Sequence, residues 1–258
     1  MRKPIGIFDS GIGGTSIWKE VRKILPQEDI IYLADSANAP YGAKSKKEIQ
    51  QFCVKNTNFL LESNCKLIVV ACNTATTNAI DLLRETYDVP FVGIEPAIKP
   101  AALQTQTKII GVLATQGTLS SSLFNTTSKK FTQGIQVVEQ VGKGLVELIE
   151  AGKHDSPEIR DLLKKYLEPM LQQNIDHLVL GCTHYPYLMP VLQELLPKHV
   201  TIIDSGEAVA RQTRALLEKT GRLSESAGEG TTLFYTTGSR EGLAHWVGAK
   251  GEIKSLKL

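Results

Sequence analysis

An apolar run that stops at a cysteine occurs twice in this chain, and no other feature restricts its fold as tightly. The first copy is Leu67-Ile68-Val69-Val70-Ala71-Cys72-Asn73-Thr74, and the second is Leu178-Val179-Leu180-Gly181-Cys182-Thr183-His184. Unbroken apolar, β-branched runs of this kind belong to strands of a parallel sheet that is covered on both faces. Ligands of open parallel sheets sit outside the carboxyl ends of the strands. Both thiols are therefore predicted where a ligand would bind.

Similar strand signals recur at Ile5–Phe8, Ile30–Ala34, Leu67–Ala71, Phe91–Ile94, Ile109–Leu113, Ile135–Val138, Leu178–Leu180, Val200–Ile203 and Leu233–Thr236. Most of the gaps read as helices. Ile17, Val21, Ile24 and Leu25 share one helical face. Ser45 and Glu48 form a capping-box pattern, and Ser156-Pro157 opens another helix. A long helix from about Glu207 ends before Gly221, and Ser239–Val247 reads as the last. The repeat extends beyond the cysteines. Ile5-Gly6-Ile7-Phe8 resembles Ile110-Gly111-Val112-Leu113 at an offset of 105, and the cysteines lie 110 apart. The expectation is an α/β fold of two similar α/β domains, with mainly parallel sheets related by a pseudo-twofold and the active site in the cleft between them. Residues 1–97 with 208–258 would form the first domain and 98–207 the second; two unrelated halves are the alternative.

A chain of 258 residues can bury such cores. Its formal net charge of +2 gives no reason to expect nucleic acid or an anionic membrane as a partner. No apolar run approaches the roughly 20 residues of a bilayer span. The first strand signal begins at Ile5, which leaves no room for a signal peptide. A cytoplasmic protein with reduced Cys53, Cys65, Cys72 and Cys182 is expected. None of these makes a C-x-x-C pair, and the five histidines lack metal-ligand spacing, so no metal is expected.

Buried cysteine usually acts as a small hydrophobe. That reading suits Cys53, on an apolar helix face, and Cys65, entering a strand. Cys72 and Cys182 differ, because each ends a buried strand before polar residues and an expected helix start. A helix N-terminus lowers a thiol from its usual pKa of about 8.5. Two such thiols suit a catalytic disulfide, a metal site, a nucleophile with a bystander, or an acid/base pair; the repeat favours the pair. Inverting one carbon needs a base on one face and an acid on the other. The loop Asp9-Ser10-Gly11-Ile12-Gly13-Gly14-Thr15 lacks the G-x-G-x-x-G spacing of a nucleotide site. Its backbone N–H groups could still hold a carboxylate. Asp9 is a candidate acid or ammonium partner, or else an N-cap. Asn73 and Thr74, like Thr183, suit helix capping as well as anion binding. His184, two residues after a candidate base, is a candidate proton partner or orienter.

The combination of Phe8–Gly14, Pro40-Tyr41-Gly42, Ala71–Ala75 and Gly181–Pro186 closely resembles the bacterial glutamate racemases over nearly the whole chain. Aspartate racemases tend to carry Glu where this chain has His184, which favours glutamate. The resemblance implies a cofactor-independent racemase that supplies D-glutamate for peptidoglycan, with Cys72 acting on D-glutamate and Cys182 on L-glutamate. It implies assistance from Asp9, His184 and Glu150, and substrate contacts at Asp9, Ser10, Tyr41, Gly42, Asn73, Thr74, Thr183 and His184. Members regulated by a cell-wall precursor carry an N-terminal extension, so regulation of that kind is not expected. The expected partners are the small-molecule substrate and a second copy in a homodimer. The rival readings are an aspartate racemase, a single-cysteine diacid isomerase or decarboxylase, and a non-catalytic amino-acid-binding protein.

Overall fold

The computed structural model describes residues 3–248 and 250–258. In chain order its elements begin with β1 (Ile5–Asp9), α1 (Thr15–Ile24), β2 (Ile30–Ala34), α2 (Lys46–Glu62), β3 (Leu67–Val70), α3 (Asn73–Thr86) and β4 (Phe91–Gly93). They continue with α4 (Ile98–Gln104), β5 (Ile109–Ala114), α5 (Gln116–Leu119), α6 (Ser122–Phe131), β6 (Gln136–Val141), α7 (Leu145–Glu150) and α8 (Pro157–Gln172). The last are β7 (His177–Gly181), α9 (Met189–Leu195), β8 (Thr201–Ile203), α10 (Gly206–Lys219), β9 (Thr232–Thr236), α11 (Arg240–Val247) and β10 (Glu252–Ser255).

The strands form two sheets, ordered β10-β9-β2-β1-β3-β4 and β6-β5-β7-β8. Every pairing recorded between them is parallel. The stretch β2-β1-β3-β4 has the same order as β6-β5-β7-β8, so the internal repeat is a repeat of topology. β3 and β7 occupy equivalent places, and Cys72 and Cys182 follow them directly. The residues of β1, β3 and β7 are all buried, as both-face coverage requires. All nine expected strands are present. β10 was not foreseen, because Glu252-Ile253-Lys254-Ser255 is a mostly exposed edge strand without an apolar run.

Local chemistry sets the helix starts. Ser45 and Glu48 exchange both bonds of a capping box at α2. Ser156 caps α8, whose first residue is Pro157. The helix expected directly after Cys182 is absent there. His184-Tyr185-Pro186 instead leads into a short 3-10 turn at Tyr185–Leu188, and α9 follows it.

β9 docks on β2 through aromatic packing and one arginine. Trp18 meets Phe234 edge-on at 5.0 Å and donates through Nε1 to Thr232 Oγ1 at 3.1 Å. The Arg22 guanidinium donates to the carbonyls of Pro26, Glu28, Gly230 and Thr231. Below it, Lys66 Nζ pairs with the buried Glu28 carboxylate at 2.6 Å, and Ser224 N–H donates to the other Glu28 oxygen at 2.7 Å. One apolar cluster runs from Ile7 and Trp18 through Leu145 and Ile149 to Leu178 and Leu180, joining the faces of both sheets. Among the described residues, no helix is long and apolar enough to cross a membrane.

Removing one member of a buried ion pair leaves the other charge without compensation, at a cost of about 3–5 kcal/mol. Glu28→Ala should therefore lower the unfolding free energy by that amount, seen as a lower urea midpoint with an unchanged m-value. An unaltered midpoint would show that Glu28 does not tie residue 224 to the first sheet.

Candidate active site

Cys72 sits where β3 gives way to α3. As the N-cap, its sulfur accepts from Ala75 N–H at 3.4 Å, and its thiol donates to Ser10 Oγ at 3.7 Å. Ser10 follows β1, the neighbour of β3, so parallel pairing alone brings these two side chains together.

Cys182 has different company. Its sulfur lies 3.7 Å from His184 Nδ1, and His184 Nε2 lies 2.6 Å from Glu150 Oε1. The same carboxylate oxygen accepts from Ile12 N–H, in the loop after β1, at 2.8 Å. A protein carboxylate from the end of α7 thus occupies the amide that the glycine-rich loop was expected to offer to a ligand. Asp9 is fully buried. Its carboxylate accepts from Gly11 N–H at 3.0 Å and from Thr183 Oγ1 at 3.2 Å. It does not cap α1, whose N-cap is Gly14.

Both cysteines line one cavity with about 250 Å³ of empty space. The cavity is narrow and largely enclosed by side chains. Ser10, Tyr41, Gly42, Asn73, Thr74, Thr183 and His184 share its wall. Asp9 and Glu150 lie behind the wall and reach it through Thr183 and His184. Tyr41 is anchored from outside by its hydroxyl, which donates to Asp35 at 2.5 Å. The Asn73 amide is buried, and among the described residues neither its Nδ2 nor its Oδ1 has a hydrogen-bond partner. Buried amides are rarely left so, and this one can serve both a carboxylate and an ammonium group.

Pro40, Thr115 and Val146 also line the cavity, and the residue patterns did not single out the last two. The signal was present in the repeat. The 105-residue offset between Gly6 and Gly111 carries Ser10 onto Thr115 and Tyr41 onto Val146. Thr115 Oγ1 lies 2.8 Å from Thr74 Oγ1, which closes the cavity across the two sheets. Among the described residues, no cluster of three or more His, Cys, Asp or Glu side chains is placed to hold a metal ion.

The Asp/Glu/Hydantoin racemase family model matches residues 15–213. The chain belongs to this racemase family. A glutamate racemase of Herpetosiphon aurantiacus is 47% identical over 236 residues, which cover 92% of this chain and 93% of the relative. Among solved structures, glutamate racemase isoform RacE1 from Bacillus anthracis superposes with a TM-score of 0.89 at 31% identity, covering 99% of this chain and 98% of that one. The Escherichia coli glutamate racemase, solved with L-glutamate and the activator UDP-MurNAc-ala, gives 0.88 at 36% identity, with the same coverage.

In this member of the racemase family the two thiols sit in unlike fields. Burial pushes Cys72 well above the ordinary thiol range, and the nearby Asp9 charge adds to the rise. The lowering expected from the helix N-terminus is therefore outweighed at Cys72. The Ala75 N–H bond opposes the rise but is outweighed by desolvation. Burial also holds the Asp9 carboxyl above its usual range, against the pull of His184 and of Gly11 N–H. For His184, burial alone would lower the imidazole. Its bonds to Cys182 and Glu150 outweigh burial and hold it well above the ordinary range.

A histidine raised in the folded state stabilises the fold fully below its unfolded pKa of about 6.5, and loses that contribution as pH rises through the folded value. The stability difference between the wild type and His184→Asn should be flat from mildly acid pH to about 6.5 and should shrink above it. Denaturant titrations across pH measure this. A difference that grew with pH would mean that the ring is buried neutral.

Proposed function

We propose that this protein interconverts L- and D-glutamate without a cofactor, with Cys182 acting on the L enantiomer and Cys72 on the D enantiomer. The observation that carries the reading is the placement of two buried thiols on one small cavity, each at the end of the equivalent strand of its sheet. Racemisation needs a proton removed from one face of the α-carbon and another returned to the opposite face.

With L-glutamate, the Cys182 thiolate takes the α-proton. His184 supports that thiolate through the charged imidazole that Glu150 holds in place. Negative charge then builds on the substrate carboxylate, where the Asn73 amide, the Thr74 and Thr183 groups and the open first turn of α3 supply donors. The Cys72 thiol delivers its proton to the other face. In the reverse direction Cys72 must become the base. The Asp9 charge disfavours a thiolate there until the substrate ammonium group offsets it, so the D-side base forms with substrate bound. Ser10, Tyr41 and Gly42 complete the substrate contacts. We further propose that residues 1–97 with 208–258 and residues 98–207 act as two lobes that close over glutamate and exclude water. The product would supply peptidoglycan synthesis in the cytoplasm.

Proton bookkeeping in D₂O tests the two-base scheme. Early D-glutamate formed from L-glutamate should carry solvent deuterium, while the remaining L-glutamate stays protiated. Original proton retained in the product, or early deuterium in the substrate, would point to a single base. Cys182→Ser should cut proton abstraction from L-glutamate by about 10²–10⁴-fold, because serine is a poor base near neutral pH. Cys72→Ser should do the same for D-glutamate, and net racemisation should fall in both. Full racemase activity in either variant would exclude the scheme. Substrate choice is a separate check. Aspartate, one methylene shorter, should react at least about 10–200-fold less well in kcat/KM. Equal values would move the assignment away from glutamate.

A further inference from the structure

We propose that Gly13, together with the Ile12 amide, is the positioning element for the Cys182 face of the reaction, an inference that rests on the glutamate racemase reading above. The loop after β1 lies flush against the His184–Glu150 pair. A side-chain carbon on Gly13 would overlap the His184 ring at Nδ1 and stand 2.6 Å from its Cε1. One on Gly11 would overlap the Glu150 carboxylate and stand 2.8 Å from its Cδ. Neither glycine has a positive φ. Their missing side chains therefore serve the close approach of another element, and not a backbone turn that only glycine can make.

His184 cannot swing aside cheaply. His184 is 1% exposed, with one ring nitrogen facing Cys182 and the other facing Glu150. Moving it off Gly13 would break one or both contacts. The Ile12 peptide is itself held from both sides. Its N–H donates to Glu150, and its carbonyl accepts from Thr15 Oγ1 at 2.6 Å. The Thr15 hydroxyl also meets the Tyr187 hydroxyl, from the turn that follows His184. Ser16 Oγ donates to Thr183 O at 2.9 Å in the same seam. The contacts across the Cys72 side run instead through Thr74 with Thr115 and through Asn78 with the Gly117 carbonyl. They involve no residue from 11 to 14. A change at Gly13 therefore acts on one face of the substrate.

One-sided reactions expose this. L- and D-β-chloroglutamate each lose the α-proton to one thiolate. The freed electron pair forms the Cα–Cβ double bond and chloride leaves, after which water hydrolyses the imine tautomer to 2-oxoglutarate and ammonium. Gly13→Ala should lower kcat for the L compound by about 10–100-fold, with little change in KM, and leave the D compound within about threefold. In a His184→Asn background, where the clashing ring is gone, Gly13→Ala should cost nothing further on the L side. Equal losses on both enantiomers, or a loss undiminished in the His184→Asn background, would overturn the role of Gly13. If Gly13→Ala does not fold, Thr15→Val, which loosens the Ile12 peptide by removing the hydroxyl that donates to its carbonyl, carries the same test. Its L-selective loss should vanish in a Glu150→Ala background, and an equal loss on both enantiomers overturns the proposal. A wild type that eliminates chloride from neither compound would overturn the racemase reading itself.

Discussion

Taking a thiolate out of water is costly, and both cavity sulfurs are almost fully buried. A base must be charged, and burial opposes the charge. Burial cannot be given up, because a carbanion next to a carboxylate survives only where water is excluded and fixed donors receive the charge. The rest of the site is organised around this conflict. Cys182 meets it with a fixed counter-charge, since the His184 ring is held between its sulfur and the Glu150 carboxylate. Among the described residues Cys72 has no such partner. Its sulfur has one serine hydroxyl, one backbone N–H and a buried carboxylate nearby. In the proposed reaction its charge would depend on what the substrate brings.

The backbone repeats and the chemistry does not. The strand order is the same in the core of both sheets, and the two cysteines follow the same strand of each. The offset of 110 that maps Cys72 onto Cys182 maps Thr74 onto His184. A threonine hydroxyl that bonds Thr115 thus stands where the other half carries an imidazole bonded to Glu150. The two enantiomers differ in which face presents the proton. Two equivalent frames with different local partners fit the proposed reaction, in which the same carbon is reached from opposite sides.

The strands were legible because parallel sheets covered on both faces need continuous apolar runs, and Leu67–Val70 and Leu178–Leu180 are such runs. β10 was not, since an edge strand with one half-buried residue carries no pattern. The turn after Cys182 was misread as a helix start because polar residues after a strand look alike before α3 and before the 3-10 turn at Tyr185. The direction of the Cys72 shift was misread for a deeper reason. A capping N–H is visible as a local pattern, whereas complete desolvation depends on chain folded over the thiol from far away. Thr115 and Val146 carry no chemistry of their own that would draw notice. Only the topological repeat points to them, through Ser10 and Tyr41.

The glycine-rich loop shows how a correct local reading can have the wrong recipient. Three glycines after a buried strand leave backbone amides open to a carboxylate. In the fold, the Ile12 amide is taken by Glu150, from the element that follows β6. The carboxylate is then no longer free to move, and the imidazole bonded to it is fixed in turn. The orientation of His184 is thus set by a peptide that belongs to the opposite sheet, 2.8 Å from the carboxylate it holds. Separating the sheets would release Glu150, loosen the ring and leave the Cys182 sulfur without its fixed counter-charge. One set of contacts between the sheets, Ile12 N–H with Glu150, thus also holds the ring beside Cys182, while Thr74 with Thr115 joins the sheets on the Cys72 side.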